Sequence, residues 1–194
     1  QSDLRWSVGT FSIAGCAPFA GLVVGEKILA IQALNDAGGV NGKQVFGAES
    51  VLRLLQDWTA NRTLLSEAVE AIWSASSESP LAALAEKAVP MTQLRVHAPV
   101  DRPGQILMAR ANYRKHIIEL SVRMGRGKGD TEEERRADIE AMVERKAREG
   151  DPFFWVKTQC AVAGAYDEIE IPAATEKADW ELELAVVIGK PARH

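Results

Sequence analysis

The stretch Asp179-Trp180-Glu181-Leu182-Glu183-Leu184-Ala185-Val186-Val187-Ile188-Gly189 decides how this chain is read. Acidic and apolar residues alternate and then give way to an unbroken apolar tract. That is the pattern of a strand whose first part lines an opening and whose remainder is core. Positions two apart on a strand share a face, so Asp179, Glu181 and Glu183 point one way and Trp180, Leu182 and Leu184 the other. Two readings fit the spacing. Three carboxylates beside a buried run require a neutralising cation, and hard ions such as Mg2+ or Ca2+ take oxygen ligands. Alternatively, the tract is an edge strand whose acidic face is solvated.

Working outward, 194 residues with 46% hydrophobic content suffice for one ordinary domain or two small ones with a real core. A net charge of -4 gives no electrostatic footprint for nucleic acid, and no basic run suggests a membrane surface. No apolar run reaches the roughly 18 residues of a membrane span, and the start of the chain lacks the regions of a signal peptide. The expected location is the cytoplasm. Cys16 and Cys160 offer neither a disulfide framework nor zinc spacing and are read as buried free thiols. The sequence opens at Gln1 without Met and is read as part of a longer gene product.

Residues 1–98 read as a small N-terminal α+β domain. Residues 6–13 form a strand, 19–29 a strand with bends at Gly21 and Gly25, and 35–42 a loop. Val51, Leu54, Leu55 and Trp58 fall at i, i+3, i+4 and i+7, which predicts an amphipathic helix over 50–58; a second follows at 64–73. Residues 74–80 are a polar break, and 81–88 a short helix closed by Pro90.

Residues 99–194 form the second domain. Residues 106–108 are a short apolar strand that feeds a helix from Asn112 onward. On that helix His116 and Glu119 lie at i and i+3, close enough for the carboxylate to orient the imidazole and raise its basicity. This makes a candidate general base, though the same spacing also occurs on ordinary surface faces; His97 has no comparable partner. The run Gly125-Arg126-Gly127-Lys128-Gly129-Asp130 lacks Walker spacing and a preceding buried strand, so it reads as a flexible hinge. In the helix at 131–149, Thr131 and Glu134 form a capping box, Ile139, Met142, Val143 and Ala147 a narrow apolar stripe, and Gly150 the end. Residues 122–150 therefore suit a lid over a substrate, a surface insertion or a dimer contact. Phe153-Phe154-Trp155-Val156 is an apolar strand ending at Lys157, a cation that either anchors an anionic substrate or reaches solvent. Residues 163–167 make a turn and 169–171 a short strand before Pro172.

The order of these pieces resembles the fumarylacetoacetate hydrolase family. The resemblance rests on Asn112-Tyr113-Arg114-Lys115-His116 with Glu119, on Phe154-Trp155-Val156-Lys157, on Ile169-Glu170-Ile171-Pro172, and on Glu181-Leu182-Glu183-Leu184 running to Val187-Ile188-Gly189-Lys190. It covers about residues 104–194, and the N-terminal part resembles the small variable domain many members carry. The resemblance implies an α+β, mostly β chain with a rolled, barrel-like mixed sheet in the catalytic domain, working as a homodimer on a small-molecule oxo acid or diketone. It implies that Glu181 and Glu183 are two of three carboxylate ligands to Mg2+, with Mn2+ or Ca2+ as substitutes. His116 with Glu119 would activate water, Lys157 would sit near the substrate's carboxylate or carbonyl, and Tyr113 would contact the substrate; Arg110 is this chain's own departure, a cation that would reshape the loop or reach the substrate. Asp179 matches no family ligand.

The implied activity is metal-dependent hydrolysis of a carbon-carbon bond in a 1,3-dicarbonyl such as an acylpyruvate, through a metal-stabilised enolate. Decarboxylation, hydration or isomerisation of an oxo acid on the same scaffold, or a catalytically inactive binding subunit, are the alternatives. The chain departs from the family pattern at Arg110, where members usually carry Gly. The family also continues beyond the equivalent of His194, carrying a third ligand, an Asp, and a further Lys.

Overall fold

The computed structural model describes residues 5–74, 78–191 and 193, so part of the polar break expected at 74–80 lies outside the described residues. The chain forms two compact units, residues 1–103 with 162–194, and residues 104–161.

In the first unit β1 (Trp6–Ser12), β2 (Phe19–Val24), β3 (Lys27–Ala30), β4 (Val89–Pro90) and β5 (Arg95–Val96) build one antiparallel sheet in the order β4-β3-β2-β1-β5. Only one of the two expected bends is a bend. Gly25, at φ 59°, opens the two-residue loop between β2 and β3. Gly21 sits mid-ladder opposite Gly9, where an added Cβ would come within 2.6 Å of both the Phe11 ring and Ile28. The glycine there makes room for a side chain on the neighbouring strand.

The loop expected at 35–42 begins as a short helix, α1 (Gln32–Asp36), whose Asn35 amide bonds both the N–H and the carbonyl of Val45 at 2.7 and 2.9 Å. The single helix expected over 50–58 is two elements, α2 (Val51–Leu55) and α3 (Trp58–Trp73). The break is possible because Asn61, 1% exposed, takes over for the missing helical turn. Its amide donates to the carbonyls of Leu54 and Phe46 at 2.8 and 2.9 Å and accepts from the Phe46 N–H at 3.0 Å. Carbonyls at a buried helix end need such partners. Leu22, Leu29, Ile31, Leu34, Leu54 and Leu65 form the centre of the core between sheet and helices.

The second unit holds β6 (Ile106–Ala109), α4 (Arg114–Arg123), α5 (Glu132–Glu149) and β7 (Phe154–Lys157). β6 and β7 pair antiparallel, from Ile106 opposite Lys157 to Ala109 opposite Phe154. The helices pack through Ile118 and Ser121 of α4 and Ile139 of α5, and Arg114 pairs with Glu144 at 2.9 Å. The capping box forms as expected, with Glu134 N–H donating to Thr131 Oγ1 at 3.2 Å and Thr131 N–H to Glu134 Oε2 at 3.1 Å.

The glycine-rich run before α5 is not a loose hinge. Asp130 N–H donates to Glu134 Oε2 at 2.8 Å, Lys128 N–H to Asp138 Oδ2 at 3.0 Å, and the Arg135 guanidinium to the Asp130 carbonyl at 3.0 Å. Carboxylates of the helix occupy the amides that a phosphate would need. Composition reveals the glycines but not the anions they wrap around.

The largest departure lies at the end of the chain. Among the described residues from 162 onward no strand or helix forms, so neither 169–171 nor 179–189 is a strand here. A strand needs a neighbour for its backbone N–H and C=O groups, and no ladder forms along this tract. Its apolar side chains stand in solvent, with Leu182 and Leu184 exposed by 85% and 83%. The mixture of α and β is therefore as expected, but the sheets are antiparallel rather than mixed and the described residues are not mostly β; helix is commoner than strand. Both cysteines are exposed free thiols rather than buried ones. No helix among the described residues is long and apolar enough to cross a membrane.

Candidate active site

The site is built around the passage from β6 into α4. Arg110 N–H extends the β6 ladder by donating to the Phe153 carbonyl at 3.0 Å, and its guanidinium lies 6.0 Å from the centre of the Phe153 ring. The chain then turns at Ala111, whose φ of 58° lies in the left-handed region that a Cβ disfavours. Tyr113 follows in extended conformation and starts the helix, its carbonyl accepting from Ile117 N–H at 3.1 Å.

Four residues thus separate a β ladder from a helix that carries His116 and Glu119. At 100° per residue these two side chains project about 60° apart, on the side of α4 away from buried Ile118 and Ser121. Both are exposed. Glu119 pairs with Lys115, one turn earlier, at 3.9 Å rather than with His116, so the carboxylate–imidazole contact that the spacing allows is not made here.

Lys157 ends β7 opposite Ile106, at the other end of the ladder from Arg110. Three residues of strand put it about 10 Å along the sheet from the turn into α4. It lines a cleft of about 580 Å3 with Gly104, Gln105, Thr158, Gln159 and Cys160, and Gln159 joins the two walls by donating to the Gly104 carbonyl at 3.0 Å. Arg110, Tyr113, His116, Glu119 and Lys157 all belong to the second unit, whereas Glu181 and Glu183 stand exposed in the first.

As donors, two carboxylates suit a hard divalent ion, but they fill only part of the six or more oxygen positions such ions require. Among the described residues no group of three or more His, Cys, Asp or Glu is arranged to hold a metal.

One polar cluster escaped sequence reasoning. His97, which looked partnerless, has its Nε2 2.7 Å from Ser12 Oγ across the β1/β5 ladder, and its backbone N–H donates to the Thr10 carbonyl at 2.9 Å. Nearby, Arg95 pairs with Asp167 at 2.9 Å and Asp167 accepts from Gly164 N–H at 2.8 Å. The Gly164 amide and then the Arg95 guanidinium hold the Asp167 carboxyl below the usual carboxylate range. These partners are 72 and 85 residues apart in sequence, so no local pattern announces them.

Comparison with known proteins points to one family. Residues 105–194 match the family described as fumarylacetoacetate (FAA) hydrolase C-terminal. A fumarylacetoacetate hydrolase domain-containing protein of Pongo abelii is 30% identical over 106 residues, which is 55% of this chain and 26% of that protein. A mitochondrial oxaloacetate tautomerase of Rattus norvegicus is 27% identical over 157 residues, 81% of this chain and 39% of the relative. A maleylpyruvate hydrolase of Aquipseudomonas alcaligenes is 27% identical over 104 residues, 54% of this chain and 32% of the relative. The chain thus spans about a quarter to two fifths of the length of these relatives. The 157-residue match is longer than residues 105–194, so it runs into the N-terminal unit as well.

Proposed function

We propose that the chain, whose residues 105–194 match the fumarylacetoacetate hydrolase family, takes part in cleaving a carbon-carbon bond of a 1,3-dicarbonyl acid of the acylpyruvate kind, with His116 as general base. The observation that carries this reading is the short turn from β6 into α4, which presents His116 and Glu119 together on the solvent side of one helix.

His116 would take a proton from water as the water oxygen attacks the carbonyl remote from the carboxylate, with Glu119 supporting the imidazolium. The carbon-carbon bond then breaks, its electron pair passing to the carbon between the carbonyls. The proton returns from His116 to that carbon, leaving a carboxylic acid and a 2-oxo acid. Lys157 would hold the substrate's negative charge, and Arg110 and Tyr113, about 10 Å along the sheet, would contact its far end. Mg2+, or Mn2+ or Ca2+ in its place, held by Glu181 and Glu183 with further oxygen ligands, would polarise the oxo acid's oxygens. The family resemblance would make the working protein a homodimer.

A second reading, keto-enol tautomerisation of a small oxo acid, is favoured by the relatives named as oxaloacetate tautomerases, one of which aligns with 81% of this chain. In it His116 would carry a proton between the enol oxygen and the adjacent carbon, with no attacking water. Product analysis with Mg2+ separates the two. Conversion of acetylpyruvate to acetate and pyruvate supports hydrolysis, whereas faster loss of enol-oxaloacetate without bond cleavage supports tautomerisation. A protein that does neither is not an enzyme of this kind.

A further inference from the structure

The ladder of β6 and β7 has two faces of different character. Residues opposite one another in an antiparallel pair share a face, as do positions two apart along each strand. The register therefore places Ile106, Met108, Arg110, Phe153, Trp155 and Lys157 on one side, and Leu107, Ala109, Phe154 and Val156 on the other. The second set is wholly apolar, as a packing face is. The first has a cation at each end and aromatic rings between. Its side chains meet as this placement requires: the rings of Phe153 and Trp155 lie 6.5 Å apart, and the Arg110 guanidinium lies 6.0 Å from the Phe153 ring. Among the described residues neither Arg110 nor Lys157 makes an ion pair, and none of the six is acidic. The charge of this face is thus unanswered within the ladder and complements an anion.

Resting on the proposed cleavage of an acylpyruvate, we infer that this face is the subsite for the substrate's acyl group, that Trp155 sets its specificity, and that the acyl group it takes is aromatic. Lys157 fixes the carboxylate end. Two residues of strand set Trp155 about 7 Å farther along the same face. The dioxo chain between the carboxylate carbon and the first ring atom is about 5 Å long, four zigzag bonds of about 1.5 Å each. A ring at the end of that chain therefore falls over the Trp155 indole. Offset stacking on Trp155 and Phe153 suits a planar group, and Arg110 closes the row as a cation that an aromatic face attracts. A methyl ketone held at Lys157 would end short of these rings.

Benzoylpyruvate and acetylpyruvate, compared on the full chain, test this in two ways. In calorimetric titration of the His116→Ala protein, where no turnover is needed, benzoylpyruvate should bind about two- to tenfold more tightly, the worth of one aromatic partner. In steady-state turnover with Mg2+, Trp155→Leu should lower the ratio of kcat/KM for benzoylpyruvate to that for acetylpyruvate by the same factor, and Trp155→Phe should largely keep it. Phe154→Leu, which removes a ring from the opposite face, should leave the ratio as it was. A binding preference without turnover would uphold the subsite and count against the proposed chemistry. Turnover of both acids with equal affinities would uphold the chemistry and overturn the subsite. Binding of neither acid, or a ratio unmoved by Trp155→Leu, would overturn the inference as well.

Discussion

The helices and sheet of the N-terminal unit and the acidic tract that follows residue 162 are both rich in apolar residues, but the structure treats them in opposite ways. In the first, Leu22, Leu34, Leu54 and Leu65 are fully buried and the polar atoms that accompany them, notably the Asn61 amide, are bonded. In the second, an equally regular apolar pattern stands in water. Helices satisfy their own backbone as they form, so an amphipathic stripe needs only a surface to pack on. A strand must also find a neighbour for its backbone, and an apolar alternation without one has nothing to close the ladder. Pattern alone therefore specifies a helix more completely than it specifies a strand.

Truncating Leu65 to Ala should produce the largest effect, destabilising the N-terminal unit by about 2–5 kcal/mol in denaturant titration. The same change at Leu182 should leave the unfolding midpoint where it was. A large loss at Leu182 would mean that the tract is packed and that the contrast is wrong. Next in size, Asn61→Leu should cost about 1–3 kcal/mol by stripping partners from the buried groups of Leu54 and Phe46. At the junction of β6 and α4, Ala111→Gly should stabilise the second unit by about 1 kcal/mol, since glycine reaches φ 58° without the penalty carried by a Cβ.

The smallest effect concerns pH. The backbone amides of Thr131 and then Asp130, with the Thr131 hydroxyl, hold the Glu134 carboxyl below its ordinary value. A carboxylate depressed in the folded state contributes stability above its unfolded value and loses it as pH falls through the folded one. The start of α5 should therefore loosen only at acid pH, below the usual carboxylate range, and Glu134→Gln should flatten that dependence. Helicity followed by circular dichroism against pH checks both.

Some of this was legible beforehand. The capping box at Thr131 and Glu134, the end of α5 at Gly150 and the placement of His116 and Glu119 on one helix depend on neighbours three or four residues away, and all were read from spacing. The bonds of Asn61, the pairing of His97 with Ser12 and the anchoring of Asp167 on Arg95 depend on partners far along the chain and left no local mark. The glycine run at 125–130 and the tract at 179–189 were misread for a related reason. Their conformation is set by what lies beside them: carboxylates in one case, and in the other a strand that the described residues do not provide.

The most direct test of the proposed chemistry is the initial rate of acetylpyruvate loss with Mg2+, measured for the protein and for His116→Ala. The proposal predicts Mg2+-dependent turnover that falls by about 100- to 10,000-fold in the variant, the range of a lost general base, with an unchanged circular dichroism spectrum. Turnover that survives the substitution would contradict the assignment of His116 and with it the mechanism built on the turn into α4.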